Sequence, residues 1–196
     1  MAGNIAYYVI VPYSAEWPRV YEREQRQIRR ALGERLAGVE HVGSTSVPGL
    51  AAKPIVDVMA GLRSFADAPE CIAPLHALGY TVLPEVMRQL GIEDDLLFVK
   101  TAPDAVTVNL HLTEFDGTFW QERLMFRELL RSQPELAHEY EEIKRSLAPQ
   151  FPNGAGYSTA KGPFIEAALR EARRRASQPA TNPQDNSHPE SRPSRG

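Results

Sequence analysis

A Gly-Ser pair, Gly43-Ser44, precedes an apolar run at Pro54–Leu62 that carries one carboxylate, Asp57. The run has the length and composition of a buried strand. Glycine lets a backbone approach a ligand closely, and hydroxyl groups with backbone N–H groups can hold phosphates. A carboxylate inside a buried strand is costly unless it binds a cation or is paired. The segment therefore predicts a phosphate-binding turn beside a carboxylate that binds Mg²⁺.

Two structural alternatives stay open for the same residues. Asp57 could instead be paired with Lys53 or with an arginine, and Gly43-Ser44 could be a turn with a capping serine. The segment is not a Walker A loop, because Gly43 and Gly49 are too far apart and Lys53 precedes a proline.

Length and charge limit the classes of function. A chain of 196 residues with a net charge of −3 predicts one domain and disfavours a partner such as duplex nucleic acid. The single cysteine, Cys71, is expected to be a buried structural thiol. No apolar stretch reaches the length of a membrane span, so we expect no membrane partner and a cytoplasmic location.

Hydrophobic periodicity predicts helices and strands that alternate along the chain, as in an α/β fold. After a cap at Ser14, the first helix is expected to run to about Leu36. A second helix is expected over about 65–78, and strands are expected over 39–42, 54–62, 80–83, 96–101 and 105–113, with a turn at Ala102-Pro103-Asp104 joining the last two.

The C-terminal third predicts a helical extension. One helix contains Trp120, another begins near Pro134, and the last spans roughly 163–175. We expect a single domain over 1–176, with a core at about 9–113 and the extension at about 114–176, covering the cleft. Residues 177–196 lack large apolar side chains and are predicted to be a disordered tail. Both Trp17 and Trp120 are expected to pack in the interior.

The strand over 105–113 alternates cleanly between apolar and polar residues. Val108 and Leu110 are expected to face the core, whereas Asn109 and His111 share the other face. We expect His111 to lie across from Asp57.

The string from Glu40 to Val58, EHVGSTSVPGLAAKPIVDV, resembles the GrpB family, as do VIVPYSAEWPRVYERE, VNLHL and YSTAKGPFI. The pair Gly43-Ser44 followed by Asp57 is also similar to the signature of the nucleotidyltransferase superfamily, which includes DNA polymerase beta. The resemblance covers about Val9 to Ala172 and implies an α/β nucleotidyltransferase-like fold, in which a mixed sheet is flanked by helices.

The resemblance and the residue types together suggest the members of a site. The candidate catalytic residues are Asp57, Asn109 and His111, of which Asp57 and His111 are also candidate metal ligands. The candidates for binding phosphate or substrate are His41, Gly43, Ser44, Thr45, Ser46, Lys53, Arg127, Lys144, Tyr157 and Lys161. The expected cofactor is Mg²⁺.

Met59 departs from the superfamily pattern. The resemblance implies a second acid two residues after Asp57, on the same face of the strand, and a thioether does not bind Mg²⁺. Either one metal is used, with Glu114 or His111 completing the site, or transfer chemistry is lost.

Two functions follow from these alternatives. The first is Mg²⁺-dependent transfer of a nucleotidyl group from a nucleoside triphosphate to a small-molecule acceptor, with a protein hydroxyl as acceptor equally permitted. The second is a non-catalytic module that binds a nucleotide or a coenzyme A precursor, as the resemblance to domains fused to dephospho-CoA kinases implies.

Overall fold

The computed structural model describes residues 9–83, 95–101, 106–151 and 156–177. The strands in these ranges are β1 (Leu36–Val42), β2 (Ile55–Leu62), β3 (Thr81–Val82), β4 (Asp95–Lys100) and β5 (Thr107–Glu114). The helices are α1 (Glu16–Leu32), α2 (Ala68–Ala77), α3 (Thr118–Ser132), α4 (Pro134–Leu147), α5 (Tyr157–Ala160) and α6 (Gly162–Ala176). The predicted turn at Ala102-Pro103-Asp104 and, apart from Ser177, the predicted disordered tail lie outside the described residues.

The described strands form one mixed sheet in the order β1-β2-β5-β4-β3. Strands β2 and β5 are parallel, and the other neighbours are antiparallel. A mixed five-stranded sheet flanked by helices confirms the predicted α/β class. The register places Asp57 between Val42 of β1 and Asn109 of β5, which brings the end of β1 and its following turn to the carboxylate.

One face of the sheet carries the main hydrophobic core. Helices α1 and α2 cover this face, and their Trp17, Ile28 and Cys71 side chains are buried against Val58 and Leu110. The alternation predicted for β5 is confirmed, because Val108, Leu110 and Leu112 are buried here while Asn109 and His111 belong to the opposite face. The interior positions expected for Trp17 and Cys71 are confirmed as well.

A second hydrophobic cluster joins the helical extension to the segment that follows Gly43. Val47 and Leu50 of that segment pack with buried residues of α3, α4 and α6, namely Phe126, Leu130, Tyr140 and Leu169. Burial of these apolar side chains holds the extension over the turn. On the opposite face of the sheet, Trp120 of α3 packs against Val42 and Met59.

The expected end of the first helix is wrong by four residues. The helix begins after Ser14, whose Oγ accepts a hydrogen bond from the Glu16 N–H at 3.2 Å, but it ends at Leu32 and is followed by a 3₁₀ turn. Leu36, expected at the helix end, instead starts β1 and pairs with Leu62. Its apolar side chain is buried from either element, so periodicity could not distinguish a last helical turn from a first strand residue.

Among the described residues, no helix combines the length and hydrophobicity needed to cross a membrane.

Candidate active site

The turn after β1 presses its backbone against the Asp57 carboxylate. Gly43 has φ +70° and ψ −176°, and a Cβ placed on it would lie 2.3 Å from Asp57 Oδ2. Only glycine fits both this backbone conformation and this approach. Ser46 secures the turn, since its N–H and its Oγ both donate to the Gly43 carbonyl, at 3.2 and 2.6 Å. The predicted contact between the Gly-Ser turn and the carboxylate is thus present.

Asn109 holds the other oxygen of the carboxylate. Its Nδ2 donates to Asp57 Oδ1 at 3.0 Å, as the pairing of the two residues across β2 and β5 allows. The position expected for His111 is wrong, because His111 pairs with Met59 and Asn109 pairs with Asp57. The register of two strands distant in sequence decides this, and a shift of two residues preserves the face while changing the partner.

His111 is bound by an acid that the sequence reasoning missed. Its Nδ1 lies 2.8 Å from Asp95 Oδ2, and the Asp95 side chain is fully buried at the start of β4. The ring also packs against Phe119. An acidic residue directly before the apolar residues Leu96–Val99 was the available signal for Asp95, since a carboxylate entering a buried strand needs a partner.

Met59 occupies a sealed apolar environment. It is 0% exposed and packs with Val42 and Trp120. The Trp120 ring covers the sheet here so closely that a Cβ on Gly61 would lie 2.8 Å from it. The position that would hold a second acid is therefore closed off beneath α3, and the interior location predicted for Trp120 is confirmed.

Ser44 connects the turn to the helical extension. Its hydroxyl shares a hydrogen bond with the Tyr140 phenol of α4, and Tyr140 lies within electrostatic reach of Asp57. Burial raises the pKa of Tyr140 to about 12, although the Ser44 hydrogen bond acts in the opposite direction. The Tyr140 phenol thus links the turn after β1 to helix α4. This contact was not predicted from the sequence.

Lys53 and Lys161 meet on one aromatic ring. Their Nζ atoms lie 3.3 and 4.7 Å from the centroid of Tyr157, a distance typical of cation–π contacts. Burial, and for Lys53 also the charge of Lys161, lowers the pKa of each amine to about 8, while Asp57 opposes the shift. Arg123 adds a further positive charge near Lys161. The two predicted lysines therefore meet at Tyr157, within electrostatic reach of Asp57, which their sequence positions could not show.

Lys144 lies in the same region, but its amine binds the protein backbone. Its side chain is 2% exposed and its Nζ donates to the Ala51 carbonyl, while Glu141 Oε2 accepts from the Ala51 N–H at 3.0 Å. Burial and then the charge of Lys161 lower its pKa to about 7. Helix α4 thus anchors both polar groups of Ala51, between the turn and Lys53.

The remaining predicted binding residues lie away from the carboxylate and are engaged elsewhere. The His41 ring stacks on Tyr21 and its Nε2 lies 3.1 Å from Thr45 Oγ1. Burial, with the charges of Arg131 and Arg127, lowers the pKa of His41 to about 4, so the ring is neutral. Arg127 donates to Glu40 and to the His41 carbonyl, both at 2.8 Å. The structure brings none of these side chains to Asp57.

A comparison with protein-family models identifies the family of this chain. The model described as "GrpB protein" matches residues 8–171 of this chain. The chain belongs to the GrpB family.

Relatives of this GrpB domain match most of its length. The chain is 31% identical over 165 residues to "Glutamate-rich protein GrpB" of Alkalihalophilus pseudofirmus, covering 83% of this chain and 94% of that protein. The crystal structure of conserved protein GrpB from Enterococcus faecalis superimposes with a TM-score of 0.73 at 29% identity, covering 87% of this chain and 100% of the other. A dephospho-CoA kinase of Mycolicibacterium paratuberculosis is 29% identical over 185 residues, covering 83% of this chain and 45% of that protein.

In this GrpB domain, the side chains around Asp57 could hold a metal ion only together with a bound ligand. Within the described ranges, no group of three or more His, Cys, Asp or Glu side chains could bind a metal ion. Asp57 supplies one carboxylate, and Mg²⁺ often binds through one or two carboxylates together with substrate phosphates. Glu114 cannot supply a second, because it pairs with Leu62, at the far end of β5, about 16 Å along the strand from Asn109.

Proposed function

We propose that the site at Gly43 and Asp57 binds a nucleoside triphosphate with Mg²⁺ and transfers its nucleotidyl group to a small-molecule hydroxyl or amine. The observation that carries the proposal is convergence. The turn after β1 lies against the Asp57 carboxylate of β2, and Tyr140 of α4 and Lys161 before α6 lie within electrostatic reach of that carboxylate, although all come from distant parts of the chain. Phosphoryl transfer depends mainly on positioning and on stabilising charge, which such a group supplies.

Each residue has a role in this proposal. The Gly43 turn and the Ser44 hydroxyl hold phosphate oxygens, and the ammonium groups of Lys53 and Lys161 offset their charge. Asp57, with Asn109, would hold Mg²⁺, which would supply further charge neutralisation when bound. The acceptor attacks the α-phosphorus, the bond to the bridging oxygen breaks, and diphosphate leaves.

His111 is the candidate proton acceptor for the attacking group. Asp95 engages its Nδ1, which leaves Nε2 as the ring nitrogen that can take the proton. Asp95 thereby acts as a positioning residue, since it fixes the ring orientation and favours the tautomer with the proton on Nδ1.

A second candidate function is a module that binds a nucleotide or a coenzyme A precursor without catalysis. The burial of Met59 beneath Trp120 favours it, because the site then lacks the paired carboxylates of two-metal transfer. The similarity to part of a dephospho-CoA kinase gives the ligand class for this alternative.

Titration calorimetry with ATP, GTP, CTP and UTP, with and without Mg²⁺, tests the proposal. We expect one nucleotide site that requires Mg²⁺, and a loss of affinity of at least about tenfold in Asp57→Asn, which removes the charge that holds a hard cation. Asp116→Asn, the same change at a residue after β5, serves as the control and should bind like the native chain. Absence of binding for all four nucleotides would contradict the proposal.

A transfer assay separates the two functions. The native chain is incubated with α-phosphate-labelled nucleotide, Mg²⁺ and a mixture of small metabolites carrying hydroxyl and amine groups. Labelled product that is absent with Asp57→Asn supports the enzyme. Nucleotide binding without product or diphosphate release supports the module.

A further inference from the structure

The Tyr157 hydroxyl is a buried polar group without a protein partner among the described residues. Tyr157 begins α5 and is 2% exposed, and no described atom hydrogen-bonds to its hydroxyl. Buried phenols nearly always have a hydrogen-bond partner, and leaving one unsatisfied is unfavourable. A ligand group that accepts a hydrogen bond would resolve this.

The surroundings of Tyr157 identify the charge of that ligand. Lys53 and Lys161 both lie on its ring, and Arg123 is near Lys161, whereas Asp57 is the acid that interacts with both lysines. Among the described residues that influence the two lysines, Arg123 adds a third cation and Asp57 is an acid, in a partly buried space. Such an arrangement is unfavourable when empty and favourable around an anion that carries several charges.

We propose that Tyr157, Lys53 and Lys161 form a subsite for a diphosphate group and bind it without a metal ion. The inference rests on the proposed function, in which this group is the β- and γ-phosphates of the triphosphate. The two lysine cations and the tyrosine hydroxyl then provide the stabilisation that a second metal would provide if Met59 were an acid. Lys144 does not touch this ligand and is a positioning residue, because its amine is bound to the Ala51 carbonyl.

Calorimetric titration of inorganic pyrophosphate into the full chain, in EDTA near neutral pH, tests the subsite. We expect one binding site per chain, weakened about tenfold by Tyr157→Phe or Lys161→Gln, because each change removes a hydrogen bond or an ion pair to a charged ligand. Lys161→Arg should keep most of the affinity, and Arg170→Gln, which removes an exposed charge on α6, should change nothing. Circular dichroism verifies that each variant is folded.

Asp57→Asn distinguishes this subsite from the rest of the proposed function. The variant should bind pyrophosphate more tightly than the native chain in EDTA, since a carboxylate that repels the anion is gone, although it loses Mg²⁺-dependent nucleotide binding. Failure of the native chain to bind pyrophosphate, or unchanged affinity in both Tyr157→Phe and Lys161→Gln, overturns the subsite. Mg²⁺-dependent nucleotide binding that depends on Asp57 would still support the proposed function.

Competition identifies the source of the diphosphate. ATP carries it at a terminus, whereas dephospho-CoA carries it as an internal diester with less charge. We expect ATP to displace pyrophosphate more effectively. Displacement by dephospho-CoA but not by ATP would overturn the assignment to a triphosphate.

Discussion

Asp57 and Met59 lie two residues apart on the same face of β2, and their surroundings are opposite. Asp57 is partly buried and contacts the backbone of Gly43 and the amide of Asn109. It also lies within electrostatic reach of Lys53 and Lys161. Met59 is fully buried against Val42 and Trp120. The same strand thus supports a polar site at one end and a hydrophobic contact at the other.

The Trp120 side chain sets the boundary between the two environments. It lies in the first turn of α3 and covers the glycine-containing part of the sheet beyond Met59. The site therefore extends from Asp57 toward the Gly43 turn and the helical extension, where the lysines lie, and does not include the Met59 side chain.

The largest expected effect on stability comes from placing an acid at position 59, as at position 57. Met59→Asp places an unpaired carboxylate in an apolar contact and should lower the free energy of unfolding by about 3–5 kcal/mol. Met59→Leu keeps the volume and polarity and should cost less than about 1.5 kcal/mol. Denaturant unfolding measures both. A stable Met59→Asp chain that binds a second Mg²⁺ together with nucleotide would show that the position is accessible.

The next effect concerns the contact between the turn and the carboxylate. Gly43→Ala forces a Cβ against Asp57 Oδ2 and also strains the backbone, so we expect a loss of about 2–4 kcal/mol with weaker nucleotide binding. Gly49 has a similar φ of +82°, but a Cβ placed on it would meet no atom within 4 Å. Gly49→Ala should therefore cost only about 1–2 kcal/mol. Thermal and denaturant unfolding measure both variants. Equal losses of stability in Gly43→Ala and Gly49→Ala would mean that the close approach of the turn to Asp57 does not contribute to stability.

A smaller effect is the pH dependence of stability that Lys144 produces. Its folded pKa is lowered to about 7 from an ordinary value of 10.5, so between these values the unfolded state binds more protons than the folded state. The contribution of this group to stability therefore rises with pH from about 7 to about 10.

Lys144→Met should flatten this rise, measured by unfolding between about pH 6.5 and 9.5, whereas Arg170→Met should leave the slope unchanged. An unchanged slope in Lys144→Met would show that its amine is ordinarily solvated.

The smallest expected effect is the change in stability that Asp57→Asn causes. The amide keeps the shape and can still accept from Asn109, so the free energy of unfolding should change by less than about 1 kcal/mol even though nucleotide binding is lost. A structural ion pair with Lys53 or Lys161 predicts instead a loss of about 3–5 kcal/mol. Denaturant unfolding without ligand distinguishes these outcomes, with Asp116→Asn as the matched control.

Much of the fold was predictable because its signals are local. The alternation of β5, the strand containing Asp57 and the helical extension follow from periodicities that the backbone imposes on any amphipathic element. The end of α1 was not predictable, since Leu36 is apolar and would be buried either as a helix residue or as the strand residue that pairs with Leu62.

The sequence by itself determined the α/β class, the glycine turn and the carboxylate that faces it, because these depend on residue type and on short spacings. Only the tertiary structure decided that Asn109, and not His111, meets Asp57, that Asp95 binds His111, and that Lys53 and Lys161 share the Tyr157 ring. Those contacts depend on strand register and on how the helical extension packs on the sheet. Both arise from the summed burial of many side chains, and no short segment of sequence encodes them.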